Sequence, residues 1–223
     1  VAGRADRRVG VARTASEGRV GAVELGARPT GREGEVLEAV PGMVVTQHSG
    51  GGKANQYFVR GFNLDHGTDF QTRVDGVPLN MPTHGHGQGY TDLSFLVPEL
   101  VDHVAYRLGV AHADVGDFGS AGSADVRLVR VLDRPFVAGE TGQNGLARVA
   151  AGAARPAGAG TLLLGGEAKR YDGPWVLAER MRKASGLARY TWPRGASEYA
   201  VSAAAYRARW NANDQVAARA VQA

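Results

Sequence analysis

Two histidines with a spacing suited to metal binding are the clearest chemical feature of the chain. His84 and His86 lie two residues apart in a glycine-rich stretch. If that stretch is extended, residues i and i+2 point to the same side, so both imidazoles can bind one metal ion. His66, with Asp65 and Asp69 beside it, could supply further ligands. The same pattern is also compatible with a polar loop whose histidines face solvent or hydrogen-bond to the backbone.

The composition excludes several other kinds of site. The 223 residues include no cysteine, which excludes disulfides, thiolate metal sites and cysteine nucleophiles. The 26 Lys and Arg residues outnumber the 22 Asp and Glu residues, but they are scattered, so the net charge of +4 does not predict nucleic-acid binding. No apolar segment approaches the ~20 residues of a transmembrane helix. The 32 glycines favour short strands and turns over long helices.

The histidines fall within a region, residues 31–131, that is predicted to be a small α+β unit. A short helix is predicted from Glu33 to Val40, and Asp75-Gly76 between two apolar runs predicts a tight β-hairpin. Residues 1–30 show no sustained periodicity and are predicted to be a flexible N-terminal segment.

Residues 132–223 have a different pattern, in which segments of about ten residues alternate between apolar and polar positions. Short glycine turns alternate with longer polar connections, the longest predicted over residues 172–185. This arrangement is typical of an outer-membrane β-barrel, although a soluble antiparallel sheet would look similar. The region supplies about four or five strands, whereas a membrane barrel needs at least ~8, so we expect a truncated barrel.

The last of these predicted strands, residues 199–210, has two faces of different character. Arg207 and Arg209 alternate on one face, which is therefore predicted to line a water-filled lumen. Tyr206 and Trp210 lie on the other face, where they are predicted to contribute to an aromatic girdle.

Six short motifs follow one another through the first half of the chain. They are Val36–Val45, Val59–Phe62, Val74–Leu79, Leu100–Val104, Arg107–Gly109 and Gly116–Asp125. This ordered set resembles the plug domain of the TonB-dependent outer-membrane receptors, over residues 31–131. The resemblance implies an α+β plug domain followed by an incomplete antiparallel transmembrane β-barrel, which has 22 strands in complete members. Residues 132–223 resemble the first strands of that barrel.

The resemblance implies transport and not catalysis. Members of this family bind an extracellular ligand, commonly an iron–siderophore or another metal complex, at the outer membrane of Gram-negative bacteria. The TonB–ExbB–ExbD complex supplies the energy for import. For this chain the resemblance implies the same location, contact with outer-membrane lipid, and no cofactor other than a metal ion or chelate as the transported ligand. Val9 to Thr14 is a candidate for a degenerate energy-coupling box, and the chain is expected to be a fragment.

Position within the family pattern also implies the functional residues. Arg60 and Arg107 resemble two plug arginines that pair with barrel glutamates and lock the plug in place. Two loops are implied to face the ligand, with His84 and His86 as candidate metal ligands. The implied ligand-facing residues are Asp65, His66, Asp69, His84, His86, Gln88 and Tyr90.

Two alternatives from other functional classes remain open at this point. The first is a soluble metal-dependent enzyme that uses His66, His84 and His86. The second is a soluble β-rich binding module without catalysis. Detergent partition of residues 132–223 would separate both from a membrane receptor.

Overall fold

The chain divides into two compact units, which are described separately. The first comprises Val1–Thr46 and Ala54–Val131, and the second comprises Gln47–Lys53 and Leu132–Ala223. The structure, a computed structural model, describes residues 10–29, 31–32, 34–47, 50–213 and 217–221.

The described part of the first unit contains nine strands, an α-helix and two short 3₁₀ helices. The helices are α1 (Ala22–Gly26) and the 3₁₀ helices Glu35–Ala39 and Pro98–Leu100. The strands are β1 (Gly10–Thr14), β2 (Glu17–Gly21), β3 (Met43–Thr46), β4 (Gln56–Val59), β5 (Phe62–Asn63), β6 (Phe70–Val74), β7 (Val77–Pro78), β8 (Val101–Leu108) and β9 (Gly122–Leu128).

Six of these strands form a mixed sheet in the order β1-β2-β8-β9-β6-β7, and β3, β4 and β5 form a second, smaller sheet. All neighbours in the larger sheet are antiparallel except β6 and β9, which run parallel. A parallel pair needs a long crossover connection. The chain between β6 and β9 therefore has room for β7, the glycine-rich stretch and β8.

The core of this unit holds both ends of the loop that follows β5. Val104 and Val126, from the central strands β8 and β9, are fully buried. Leu64 and Phe70 are buried in the same cluster, and burial of each contributes roughly 1.5–3 kcal/mol. Since these two residues flank the loop that carries His66, the core fixes the loop at both ends.

The predicted hairpin is confirmed, and its turn is determined locally. Arg73 pairs with Pro78 and Val74 with Val77, so only Asp75 and Gly76 lie in the turn. Both have positive φ, at 50° and 82°, which is the conformation of a two-residue type I′ turn. The turn is also held from outside, because Leu128 N donates to Asp75 Oδ1 at 3.0 Å.

The prediction of a flexible segment over residues 1–30 is wrong for residues 10–29. β1 and β2 form an antiparallel hairpin, and β2 pairs with β8 along its whole length. These strands show no periodic pattern because they are only five residues long and rich in glycine and arginine. Residues 1–9 and 30 lie outside the described residues, and so does Val9 of the candidate energy-coupling box.

The second unit is a five-stranded antiparallel meander in which each strand pairs with the next. Two connections are two-residue turns at 158–159 and 195–196, whereas 142–146 and 172–180 are longer loops. The predicted connection 172–185 is therefore too long, and β10 was not predicted. The strands are β10 (Phe136–Thr141), β11 (Ala147–Ala157), β12 (Gly160–Tyr171), β13 (Met181–Arg194) and β14 (Ser197–Arg209), followed by the single turn α2 (Ala218–Val221).

The register divides this sheet into a polar face and an apolar face. On the polar face, buried Glu167 accepts a hydrogen bond from Arg148 Nε at 2.6 Å, and its other oxygen lies 2.5 Å from Lys183 Nζ. On the apolar face, Leu164 and Val201 are 53% and 63% exposed. Exposed apolar and buried charged side chains are the reverse of the pattern in a soluble sheet.

The prediction for the two faces of β14 is wrong. Arg207 and Arg209 pair with Ala184 and Arg182, so they lie on the apolar face. Tyr206 pairs with Ser185, which places it on the polar face with the ion-paired Glu167. β14 is itself alanine-rich on both faces, so only its pairing partners on β13 reveal which face is polar.

Within the described part of the chain, the helices are too short and insufficiently apolar to cross a membrane.

The hairpin yields a stability prediction. Gly76→Ala forces a side chain into the left-handed region, which costs about 1–2 kcal/mol, and it should raise the hydrogen-exchange rates of the β6 and β7 amides. Gly26→Ala is the matched control, since Gly26 has no positive φ and open space around its Cβ position. Mass-spectrometric hydrogen exchange of both variants checks this, and equal exchange would contradict the turn assignment.

Candidate functional site

The candidate site is built by two loops of the first unit. One loop connects β5 to β6, and the other connects β7 to Thr91. The second loop is closed at its base, because Met81 N donates to Tyr90 O at 3.0 Å and Gly89 N donates to Met81 O at 2.8 Å. Thr91 N donates to His66 O at 2.8 Å, so the two loops are also tied to each other.

Asn80 joins the two loops through a single buried side chain. Its Oδ1 accepts a hydrogen bond from Thr72 N at 2.8 Å. Its Nδ2 donates to the carbonyls of Gly67, Phe70 and Gly89 at 2.9, 3.0 and 3.1 Å. Buried backbone groups must be paired, and here one amide serves four of them.

The loops bring Asp65, His66 and His86 together. Each of these residues offers a ligand atom that lies within 4.8 Å of the other two. The rings of His66 and His86 meet edge to face with centroids 4.4 Å apart, and His66 Nε2 lies 3.7 Å from Asp65 Oδ1. Two imidazoles and a carboxylate form a ligand set for a first-row transition metal.

Backbone carbonyls orient the ring of His66. Its Nδ1 lies 2.9 Å from Ala54 O and 3.0 Å from Asn55 O. Only a protonated Nδ1 can donate to a carbonyl, so the neutral ring carries its lone pair on Nε2, on the side of Asp65 and His86. Burial lowers the pKa of His66, with the Asp65 carboxylate acting in the opposite direction. The neutral form is the one that binds metals.

Asp65 is held in a conformation that non-glycine residues seldom adopt. Its φ is 51°, which costs of order 1–3 kcal/mol and persists only where the surroundings enforce it. Asp65 N donates to Asn63 Oδ1 at 2.8 Å, and Asp65 O accepts from Tyr57 N at 2.8 Å. These two bonds fix the residue so that its carboxylate faces His66.

The structure does not place His84 with His86 in the candidate metal cluster. The His84 ring stacks on Tyr90 with centroids 3.8 Å apart, and its Nδ1 accepts a hydrogen bond from His86 N at 3.1 Å. The segment is not extended there, so the i, i+2 alternation does not apply. His66 takes the place that the sequence assigned to His84.

The remaining predicted ligand-facing residues have other contacts. Asp69 accepts a hydrogen bond from Ser120 Oγ. Gln88 has an exposed side chain, and its carbonyl accepts from Thr68 Oγ1 at 2.7 Å. The hydroxyl of Tyr90 accepts a hydrogen bond from Ala54 N at 2.6 Å. Tyr90 therefore holds the residue whose carbonyl contacts His66 Nδ1.

Residues 11–123, more than half of the chain, match the family model of the TonB-dependent receptor plug domain. The chain belongs to this family. The predicted resemblance is thereby confirmed, and the matched range begins with β1, twenty residues before the predicted start of the plug.

Solved structures of TonB-dependent receptors show the same fold. The siderophore receptor PirA from Pseudomonas aeruginosa has a TM-score of 0.63 at 17% identity, over 88% of this chain and 36% of its own. The ferric enterobactin receptor PfeA from Pseudomonas aeruginosa, as a mutant in complex with enterobactin, has a TM-score of 0.64 at 15% identity, over 88% of this chain and 34% of its own. The copper transporter OprC has a TM-score of 0.66 at 20% identity, over 91% of this chain and 32% of its own.

The chain spans about a third of the length of these structures. Within that span the predicted fold class is confirmed: an α+β plug domain followed by an incomplete set of antiparallel barrel strands.

In the plug of this chain, both predicted lock arginines contact the hairpin of β1 and β2. Arg60 Nη2 donates to Ala15 O at 3.3 Å, and within the described part of the chain Arg60 has no carboxylate partner. Arg107 pairs with Asp114 at 2.8 Å and lies 3.7 Å from Glu17. The hydrogen bond from Arg107 lowers the pKa of Asp114. The pairing of Arg60 and Arg107 with barrel glutamates stays a prediction.

Asn80 is the residue of this plug site that the sequence analysis missed. Its only local signal is an amide at the end of an apolar strand, directly before the glycine-rich loop. The four groups that it serves lie at sequence separations of eight to thirteen residues. Their convergence on one amide depends on the closure of both loops.

Replacement of Asn80 tests whether this amide holds the site together. Asn80→Ala leaves buried backbone groups unpaired, which costs about 1–3 kcal/mol, so the amides of residues 64–70 and 80–91 should exchange faster. Gln88→Ala, in the same loop but with an exposed side chain, should leave the rates unchanged. Mass-spectrometric hydrogen exchange measures both, and an equal effect of the two substitutions would contradict this role.

Proposed function

We propose that this chain is the plug and the first barrel strands of an outer-membrane receptor that binds a metal-containing ligand and gates its energy-dependent uptake. The observation that carries the proposal is the Asp65–His66–His86 cluster, held between two loops of a TonB-dependent receptor plug. The activity is binding and gating, without bond chemistry by the protein.

The two-faced sheet of the second unit supports a location in the outer membrane of a Gram-negative bacterium. An apolar face with exposed Leu164 and Val201 is expected where strands meet lipid. A buried ion-paired cluster of Glu167, Arg148 and Lys183 on the opposite face is expected where strands face a protein or water-filled interior. A soluble enzyme or a soluble binding module would expose the charged face instead.

The donor set of the plug cluster supports a transition-metal ligand, either as an ion or within a small complex that leaves positions open. Ligands around one such ion lie ~3.4 Å apart, as follows from bond lengths of about 2.1 Å in a tetrahedral site. His66 and Asp65 already approach this spacing at 3.7 Å. His86 is exposed and lies between Gly85 and Gly87, so a small shift of its loop can complete the set.

The position of β1 supports an interaction of the plug with the energy-transducing complex. Among the described strands, β1 lies at one edge of the six-stranded sheet and pairs with β2. An edge strand can pair with an added strand from another protein. We assign that partner as the TonB component of the TonB–ExbB–ExbD complex, acting on the chain that leads into β1.

Metal titration of the 223-residue chain in detergent micelles tests the ligand site. Isothermal calorimetry with Zn²⁺, Cu²⁺, Ni²⁺ and a ferric catecholate should detect one site for at least one of these ligands. His66→Gln and His86→Gln should each weaken that binding by about tenfold or more, because each removes a direct ligand where even supporting contacts contribute 10–100-fold.

The control for this titration is His84→Phe, which keeps the ring that stacks on Tyr90 and removes both nitrogens. Binding should persist in this variant, since His84 lies outside the cluster. If His84→Phe abolished binding while His66→Gln did not, the ligands would be the i, i+2 pair and the cluster would be excluded. If none of the four ligands bound to the unmodified chain, the metal site would be rejected.

Uptake is tested in Gram-negative cells that express the complete open reading frame. Cells should accumulate the radiolabelled metal identified by calorimetry, and a protonophore or deletion of the gene for TonB should reduce accumulation to the background of empty cells. Accumulation that continues at the same rate without TonB would refute energy-dependent gating. Binding in calorimetry together with no uptake would separate the ligand site from the transport assignment.

A further inference from the structure

The apolar face of the five-stranded sheet ends in a row of arginines. Arg170 pairs with Arg182, and Arg182 pairs with Arg209, so three guanidinium groups follow one another across β12, β13 and β14. Neighbouring strands are about 4.8 Å apart. Arg207 extends the row by one step along β14, and all four side chains are exposed.

Three like charges in direct cross-strand register repel one another. Within the residues that the structure describes, none of Arg170, Arg182 and Arg209 forms an ion pair or a side-chain hydrogen bond. The acid nearest in sequence to Arg170, Asp172, directs its carboxylate towards Gly145. The row therefore carries an uncompensated positive charge, which an anion from outside the described chain would stabilise.

Below the arginine row, the same face becomes apolar and shallowly concave. The two middle rows in register are Ala151, Gly166, Gly186 and Ala205, then Ala153, Leu164, Ala188 and Ala203. These residues, small apart from Leu164, line a shallow, open groove. The groove begins two steps along the strands from the arginines and has the chemistry of a hydrocarbon-binding surface.

The far end of the face carries aromatic rings. Tyr190, Trp192 and Tyr199 stack in sequence with centroids 5.4 and 5.8 Å apart. Arg182 and Trp192 are ten residues apart on β13, or about 33 Å along an extended strand. With a barrel tilt of about 45°, this length projects to roughly 23 Å, close to the ~25 Å apolar band of an outer-membrane barrel.

We propose that the row of Arg170, Arg182 and Arg209 binds the phosphate groups of an anionic lipid headgroup, with an acyl chain of that lipid in the groove below. Arginine suits this role because its planar guanidinium can donate two parallel hydrogen bonds to one phosphate. The row lies at the end of the longer loops 142–146 and 172–180, and longer loops of outer-membrane barrels are extracellular. The ligand is therefore a phosphorylated lipid of the outer leaflet. This inference rests on the proposed membrane location and is independent of the metal site.

Native mass spectrometry of the 223-residue chain in a nonionic detergent tests the lipid site. The probes are diphosphorylated lipid A and phosphatidylcholine. The unmodified chain should bind lipid A at least tenfold more tightly than phosphatidylcholine. In the triple variant Arg170→Gln, Arg182→Gln and Arg209→Gln, this preference should be lost.

The matched control is the double variant Arg155→Gln and Arg194→Gln, which removes two exposed arginines from the turn end of the same face. It should keep the preference for lipid A within about twofold. An equal loss in both variants would show an effect of net charge and would overturn the row as a site. A triple variant that binds lipid A like the unmodified chain would do the same.

Two further measurements make the outcome specific. Inorganic phosphate at the concentration of lipid A should not displace the lipid, and displacement would mean that the row is a phosphate site and not a lipid site. Calorimetry with the metal on the same preparations separates the two proposals. Metal binding without a lipid A preference rejects only the arginine row, whereas a lipid A preference without metal binding rejects only the metal site.

Discussion

The geometry of the plug site depends on how two loops satisfy their buried backbone groups. A strand ladder would pair these groups regularly, but the loops before β6 and after β7 contain no ladder beyond a single bridge between Met81 and Tyr90. The side chain of Asn80 pairs with Gly67 O and Gly89 O in the two loops and with Phe70 O and Thr72 N at the start of β6. An unpaired buried amide or carbonyl is costly, so the loops cannot separate without losing this pairing. The position of His66 relative to His86 follows from that constraint.

A second constraint on His66 comes from hydrogen bonds to its own ring and backbone. The carbonyls of Ala54 and Asn55 accept from its Nδ1, and the carbonyl of His66 itself accepts from Thr91 N. Ring orientation, tautomer and backbone position are therefore set by groups that need not take part in ligand binding. Supporting contacts of this kind hold metal ligands in many proteins. Within the described residues the ring of His86 makes no hydrogen bond of this kind, and its side chain is exposed.

In the second unit, one simple alternation produces two chemically different faces. Alternate residues of β12 and β13 lie on a largely buried face that carries Glu167, Lys169 and Lys183, and the residues between them lie on an apolar face. The apolar face is itself graded, from arginines at the loop end through glycine and alanine to aromatic rings at the turn end. Because register is fixed along whole strands, a slip of one residue would exchange the two faces and expose Glu167 and Lys183. The same register therefore defines both the polar face and the apolar face of the sheet.

Local structure in this protein was determined by the sequence itself. Asp75-Gly76 specifies its turn because both residues accept positive φ, and the order of the plug motifs along the chain indicates the family. Tertiary structure decided which histidines meet, because His66 and His86 lie twenty residues apart and converge only when Asn80 joins their loops. It also decided that residues 17–21 are a strand, since β2 pairs with β8 more than eighty residues away. The faces of β14 followed from its partners on β13. For the histidines and for β2 the deciding contact is long-range, and neither propensity nor spacing along the chain encodes it.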